Sequence, residues 1–212
     1  MLRRIFIVLA ILILPITSQA TLVDFTDRSW SIVEGSSAVT SGNVSLSSTG
    51  GLMTFNAWDN GGCLAGQAMH GLSCDGDGIG IGNDEISEQG NTAVAQSITV
   101  SFGSAVNVNN IYLLDLFGYE SGTSASGSFL DIGEKAVING ITYWSLGINN
   151  PGGFFSTNFS GQGMSSIVFS GYDDFFSDYA IAAIDVSTVP LPGAIFLFGT
   201  ALLGFMGFRR NS

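Results

Sequence analysis

The sequence predicts an all-β chain, a jelly-roll-like β-sandwich followed by one C-terminal transmembrane helix. Three observations predict it. Apolar residues alternate with small polar ones, as Ile98, Val100 and Phe102 do with Ser97, Thr99 and Ser101, which is the period of a half-buried strand. Short runs of this kind are separated by Gly- and Asn-rich turns, with no amphipathic helix of useful length among them. Finally, Gly193 to Phe208 is an apolar run broken only by Thr200.

Taken in order, the strand pattern covers residues 22–25, 30–34, 43–48, 52–56, 97–102, 109–117, 128–132, 141–148, 154–159, 165–172 and 179–186. Gly50-Gly51, Asn139-Gly140, residues 149–153 and Ser160-Gly161 supply the turns. Asn139-Gly140 between Val137-Ile138 and Ile141-Thr142 is a two-residue hairpin signal. The end strands of a jelly-roll lie together, which would bring Asp24 or Asp27 near Asp178. Residues 21–186 suffice for one ordinary domain.

Both ends read as targeting segments. Arg3-Arg4, the apolar run 5–16 and Ser18-Gln19-Ala20 make residues 1–20 a signal peptide, with cleavage after Ala20 leaving Thr21 first. An uncleaved anchor is disfavoured by the short apolar run and the small-x-small site. At the other end, residues 187–212 hold Val189-Pro190-Leu191-Pro192, the apolar run and Arg209-Arg210. Counted from Leu191 the run is about 18 residues, roughly 27 Å of helix, near the thickness of a hydrocarbon core. Pro192 suits a first helical turn, and the arginine pair marks a cytoplasmic end.

Proline signature, helix and basic cluster together resemble the PEP-CTERM sorting signal, in a Val-Pro-Leu-Pro variant where Leu191 stands in place of the commonest Glu. The resemblance implies export, anchoring in the inner membrane through residues 191–208 facing the periplasm, and processing by exosortase. It implies a final place at the cell surface or in the extracellular matrix, in company with exopolysaccharide and biofilm. A plain C-terminal membrane anchor is the alternative.

Stripped of its ends, the chain keeps only Arg28 and Lys135 as cations against all 17 acidic residues. Such a balance argues against nucleic acid, whose phosphates need Lys and Arg, and favours cations as partners. The acids crowd into the stretch that follows the two cysteines, Cys63 and Cys74. For an exported protein these read as a disulfide, against a catalytic thiol at Cys63 or a metal pair. Asp75, Asp77, Asn83, Asp84, Glu85 and Glu88 offer the oxygens a Ca2+ ion takes. Their spacing fits no EF-hand, since Ile79 and Ile86 fall where ligands are required. One G-x-G-x-D-x-I match, from Gly80 to Ile86, resembles a single calcium nonapeptide that works only in stacked copies. The other reading is a solvated loop using Gly for tight turns, with Ile79 and Ile81 plugging the core. Asp115 and Glu120 are outlying candidates.

No catalytic constellation stands out. His70 is the only histidine, no G-x-S-x-G elbow occurs, and no motif singles out a carboxylate pair. The chain is therefore expected not to be an enzyme. Trp30, Trp58, Tyr119, Tyr143, Trp144 and Tyr172 are numerous enough for some to lie on a surface, where rings stack on sugars. Two classes follow. One is a noncatalytic exported surface or matrix protein, calcium-stabilised in one version. The other is a carbohydrate-binding or polysaccharide-hydrolysing ectodomain, with extracellular polysaccharide as partner.

Overall fold

The computed structural model describes residues 19–55, 63, 71–82, 85–87, 95–118, 120–123, 129–146, 151–173, 177–189 and 199. The chain divides into two units, Ala20–Ser187 and a second made of Met1–Gln19 with Thr188–Ser212. Among the described residues thirteen strands form. They are β1 (Ala20–Asp24), β2 (Ala38–Ser41), β3 (Val44–Thr49), β4 (Met53–Phe55), β5 (Ile79–Ile81), β6 (Ser97–Leu114) and β7 (Glu120–Thr123). The chain continues with β8 (Phe129–Ile132), β9 (Lys135–Ile138), β10 (Ile141–Trp144), β11 (Phe155–Ser156), β12 (Gly161–Ser170) and β13 (Ala180–Thr188). The chain is mostly β, as its alternation predicts. Eleven strands join one hydrogen-bonded network in the order β10-β9-β12-β6-β13-β5-β4, with β1, β2, β3 and β11 attached beside it, and β7-β8 stand as a pair of their own.

The network is organised around β6, whose 18 residues change partners along their length. Its first half is flanked by β3 and β12, with Val100 opposite both Leu46 and Ile167 and Ile98 opposite Phe169. Ile138 of β9 extends that last rung beyond Phe169. All of these side chains are buried, so one face of the sheet is core. Ser97, Thr99 and Ser101 alternate to the other face, as the pleat requires. Past Phe102, β6 stays with β12 through two register shifts, Gly161 lying opposite Val108 and Met164 opposite Val106. Leu113 then pairs with Phe155 of β11. The end strands lie together as expected, Ala20 opposite Ser187 and Asp24 opposite Ala183.

The Asn139-Gly140 hairpin forms as its sequence predicts. Both residues have positive φ, 49° and 77°, and Ile138 faces Ile141 across the turn. Four strand assignments are corrected, one being 141–148, which β10 fills only as far as Trp144. Residues 30–33 belong to a 3₁₀ helix, Arg28–Val33, with Glu34 as its C-cap, because Asp27 caps its start by accepting from the Ser29 N–H at 2.8 Å. Trp30 and Val33, three apart, are both buried on that helix, a spacing that suits its three-residue turn. The strand expected at 109–117 is the second half of β6 and stops at Leu114, since Asp115 turns the chain at φ 57°. The run 154–159 shrinks to β11. Gly153 just before it packs so closely that a Cβ would lie 2.5 Å from the Asp115 Cα, and Asn158 has φ 53°. Among the described residues no helix is long and apolar enough to cross a membrane. The segment expected to do so lies outside them, apart from Gly199.

Candidate functional site

The predicted acidic stretch is anchored by the first turn of the domain. Asp24 at the end of β1 accepts from the Thr26 N–H at 2.9 Å and the Thr26 hydroxyl at 2.6 Å. Its other oxygen accepts from the Ser73 N–H at 2.7 Å. Buried Thr26 uses its carbonyl for the N–H groups of Asp75 and Gly76, and its hydroxyl oxygen for that of Cys74. Asp27 accepts from the Ser29 N–H and from the Ser73 hydroxyl. Hydrogen bonds from Ser29 hold its carboxyl below the ordinary carboxylate range. Asp24 and Asp27 are thus drawn to Ser73 and its neighbours.

Cys63 and Cys74 form the expected disulfide, with Cα atoms 5.4 Å apart. Of the residues suggested as calcium ligands, Asp75 is exposed and accepts from the Arg28 N–H at 3.2 Å. Asp77 is buried and accepts from the Cys63 N–H at 2.7 Å. Glu85 is half-buried. Asn83, Asp84 and Glu88 lie outside the described residues, as does His70. Among the described residues, no three His, Cys, Asp or Glu side chains come together as a metal group.

Ile79 and Ile81 are buried in the core, as the second reading of this stretch has them, and they lie on a strand, β5. Gly78 with φ 107° leads into it, and a Cβ there would lie 2.5 Å from the Ile181 carbonyl oxygen of β13. The acidic stretch is therefore stitched to the sheet by its glycines and carboxylates. Asp115, the outlying candidate, is buried at the left-handed turn that ends β6, and its N–H donates to the Gly152 carbonyl. Glu120 lies on β7. Sequence reasoning missed Glu134, which is buried and accepts from the Phe117 N–H. A charged residue just ahead of the alternating run Lys135–Ile138 was its only signal.

The aromatic candidates sort clearly. Trp30 is buried against Phe25, their ring centroids 4.9 Å apart. Tyr143 is partly buried, which pushes its phenol up from the usual value. Trp144 on β10 is 51% exposed, with its indole N–H donating to the Gly133 carbonyl at 2.7 Å. Lys135 places its ammonium 5.6 Å from the Trp144 ring centroid and 4.3 Å from that of Tyr172. Trp58 and Tyr119 lie outside the described residues.

At the predicted processing points, Ala20 and Thr21 are the first two residues of β1, opposite Ser187 and Val186. β13 runs to Thr188, and Val189 follows it exposed. Pro190, Leu191, Pro192, Arg209 and Arg210 lie outside the described residues. No curated protein and no solved structure matches the chain. Residues 188–211 match the model of the PEP-CTERM protein-sorting motif. Such a motif marks an exported protein, membrane-anchored before an exosortase processes it. The chain carries, from Thr188 at the end of β13 onward, a PEP-CTERM protein-sorting motif.

Proposed function

We propose that this is a noncatalytic cell-surface or extracellular-matrix protein, delivered by an exosortase-type system and associated with exopolysaccharide or biofilm. The observation that carries the reading is the junction at Thr188, where β13 passes without a linker into the sorting motif. The β unit would then be the cargo, a jelly-roll-like sandwich, and the change of partners along β6 together with the β1–β13 pairing supports that architecture. Mass spectrometry of the protein recovered from cells tests the reading. Expected are an N-terminus at Thr21, a C-terminus shortened within 188–211, and oxidised cysteines. Recovery of the intact chain from cytosol, with both thiols free, would refute it.

Calcium stabilisation is a refinement of the same reading, supported by the acid-rich span around Asp84 and Glu85. Asp77 already holds the Cys63 N–H, so a loss in Asp77→Ala has a structural cause. Asp84→Ala is the discriminating variant. Melting that rises with calcium but not magnesium in the parent, and not in Asp84→Ala, is the expected outcome.

The carbohydrate-binding reading is favoured by one specific observation, the half-exposed Trp144 held in a fixed orientation beside Lys135.

A further inference from the structure

Trp144, Lys135 and Tyr172 form a single row across three neighbouring lengths of chain. Trp144 and Lys135 are register partners in the β9–β10 hairpin. Ser170 of β12 pairs with Val137, and two residues further the same register sets Tyr172 beside Lys135. The two ring contacts of the ammonium confirm that alignment. With strands about 4.8 Å apart the row spans roughly 10 Å, close to the repeat of two pyranose units.

The row faces away from the core. Ala136 and Ile138 of β9 are buried, so Lys135 and Val137 between them point to the outer face, and Trp144 opposite Lys135 shares it. The Trp144 ring is anchored through its N–H to Gly133, where a Cβ would lie 2.2 Å from the Leu146 Cα. A large ring that is both open to solvent and locked in place loses little freedom when something stacks on it. Beside the row the next rung on that face carries the hydroxyls of Thr142, Ser170, Ser97 and Thr49, with Val137 between the first two.

Charge selects the ligand. Lys135 is the only lysine in the chain, and two aromatic faces surround its ammonium. The 17 acidic residues repel a polyanion, while a neutral chain of polyols meets no such barrier. We propose that the Trp144–Lys135–Tyr172 row is a binding site for an uncharged polysaccharide. A pyranose C–H face stacks on the half-exposed Trp144 ring, a sugar oxygen accepts from the Lys135 ammonium, and Tyr172 flanks that ammonium on its other side. The site rests on the carbohydrate-binding reading above.

The test is affinity electrophoresis of the full-length chain in mild detergent, through gels containing barley β-glucan, dextran or alginate. At least one of the two uncharged glucans should retard the chain, with alginate having no effect. Trp144→Ala should weaken retention about tenfold, and Trp144→Phe should keep most of it. Circular dichroism and melting confirm that each variant is folded. Should Trp144→Ala fail to fold, Tyr172→Ala and Lys135→Met carry the test, each expected to weaken retention. Retention that is unchanged in folded variants would overturn this site and leave the carbohydrate reading standing. No retardation by either glucan would overturn both. Retardation by alginate alone would overturn the assignment to uncharged sugars.

Discussion

The carboxylate of Asp77 accepts the backbone N–H of Cys63 at 2.7 Å, across the disulfide that joins Cys63 to Cys74. Both residues are buried, so removing the carboxylate leaves a buried N–H without this acceptor. Asp77→Ala should cost about 1–3 kcal/mol, the range for a buried donor left without its acceptor. Asp77→Asn, which keeps an acceptor oxygen, should cost less. Urea denaturation of the two variants beside the parent measures the difference.

The disulfide spans a sequence separation of 11. On the chain-entropy estimate its closure stabilises by about 3 kcal/mol. A Cys63→Ser, Cys74→Ser double variant should therefore melt lower than the parent. Adding reductant should lower the parent's melting temperature while leaving that of the double variant unchanged.

Gly78 and Gly153 should resist substitution for the same reason. Each has positive φ, and a Cβ at either would press on neighbouring backbone, the Ile181 carbonyl in one case and the Asp115–Leu116 turn in the other. Alanine at either position should destabilise by roughly 1–3 kcal/mol. Gly140→Ala, where nothing lies within 4 Å, pays only for its φ and should cost less. Thermal melts of the three variants rank them.

An alkaline limb should come from Tyr179. Its hydroxyl donates to the carbonyls of Ser170 and Val137, and burial pushes its ionisation far above the usual tyrosine range. The folded pKa is raised, so the stabilisation is complete below about pH 10 and is lost as pH rises past it. Stability measured from pH 8 to 11.5 should fall at the top of that range. Tyr179→Phe should begin less stable at pH 8 and show a shallower fall.

Much of this arrangement was legible in the chain because it is written at short range. The alternation of Ile98, Val100 and Phe102 revealed a strand, and Asn139-Gly140 revealed a hairpin with its register. What was missed depends on a cap that overrides composition or on partners distant in sequence. Trp30 and Val33 have strand-like composition, yet the cap from Asp27 winds them into a 3₁₀ turn. β5 is three residues amid glycines, and it is a strand only because Met53–Phe55 and Ile181 lie beside it. The acids of the cysteine stretch announced oxygen ligands by type. Composition could not show that Asp75 and Asp77 meet the N–H groups of Arg28 and Cys63. Likewise six aromatics looked equivalent until register set Trp144 and Tyr172 on either side of Lys135.

The pairing of Ala20 with Ser187 leaves the beginning and end of the β unit one rung apart. Such neighbours in an antiparallel ladder stand about 5 Å from each other, so a bridge of very few residues would close the unit into a ring. Reopened between Asn139 and Gly140, that ring would keep its strands in their present order and registers. To the sheet, the place where the β unit starts and stops is an arbitrary seam.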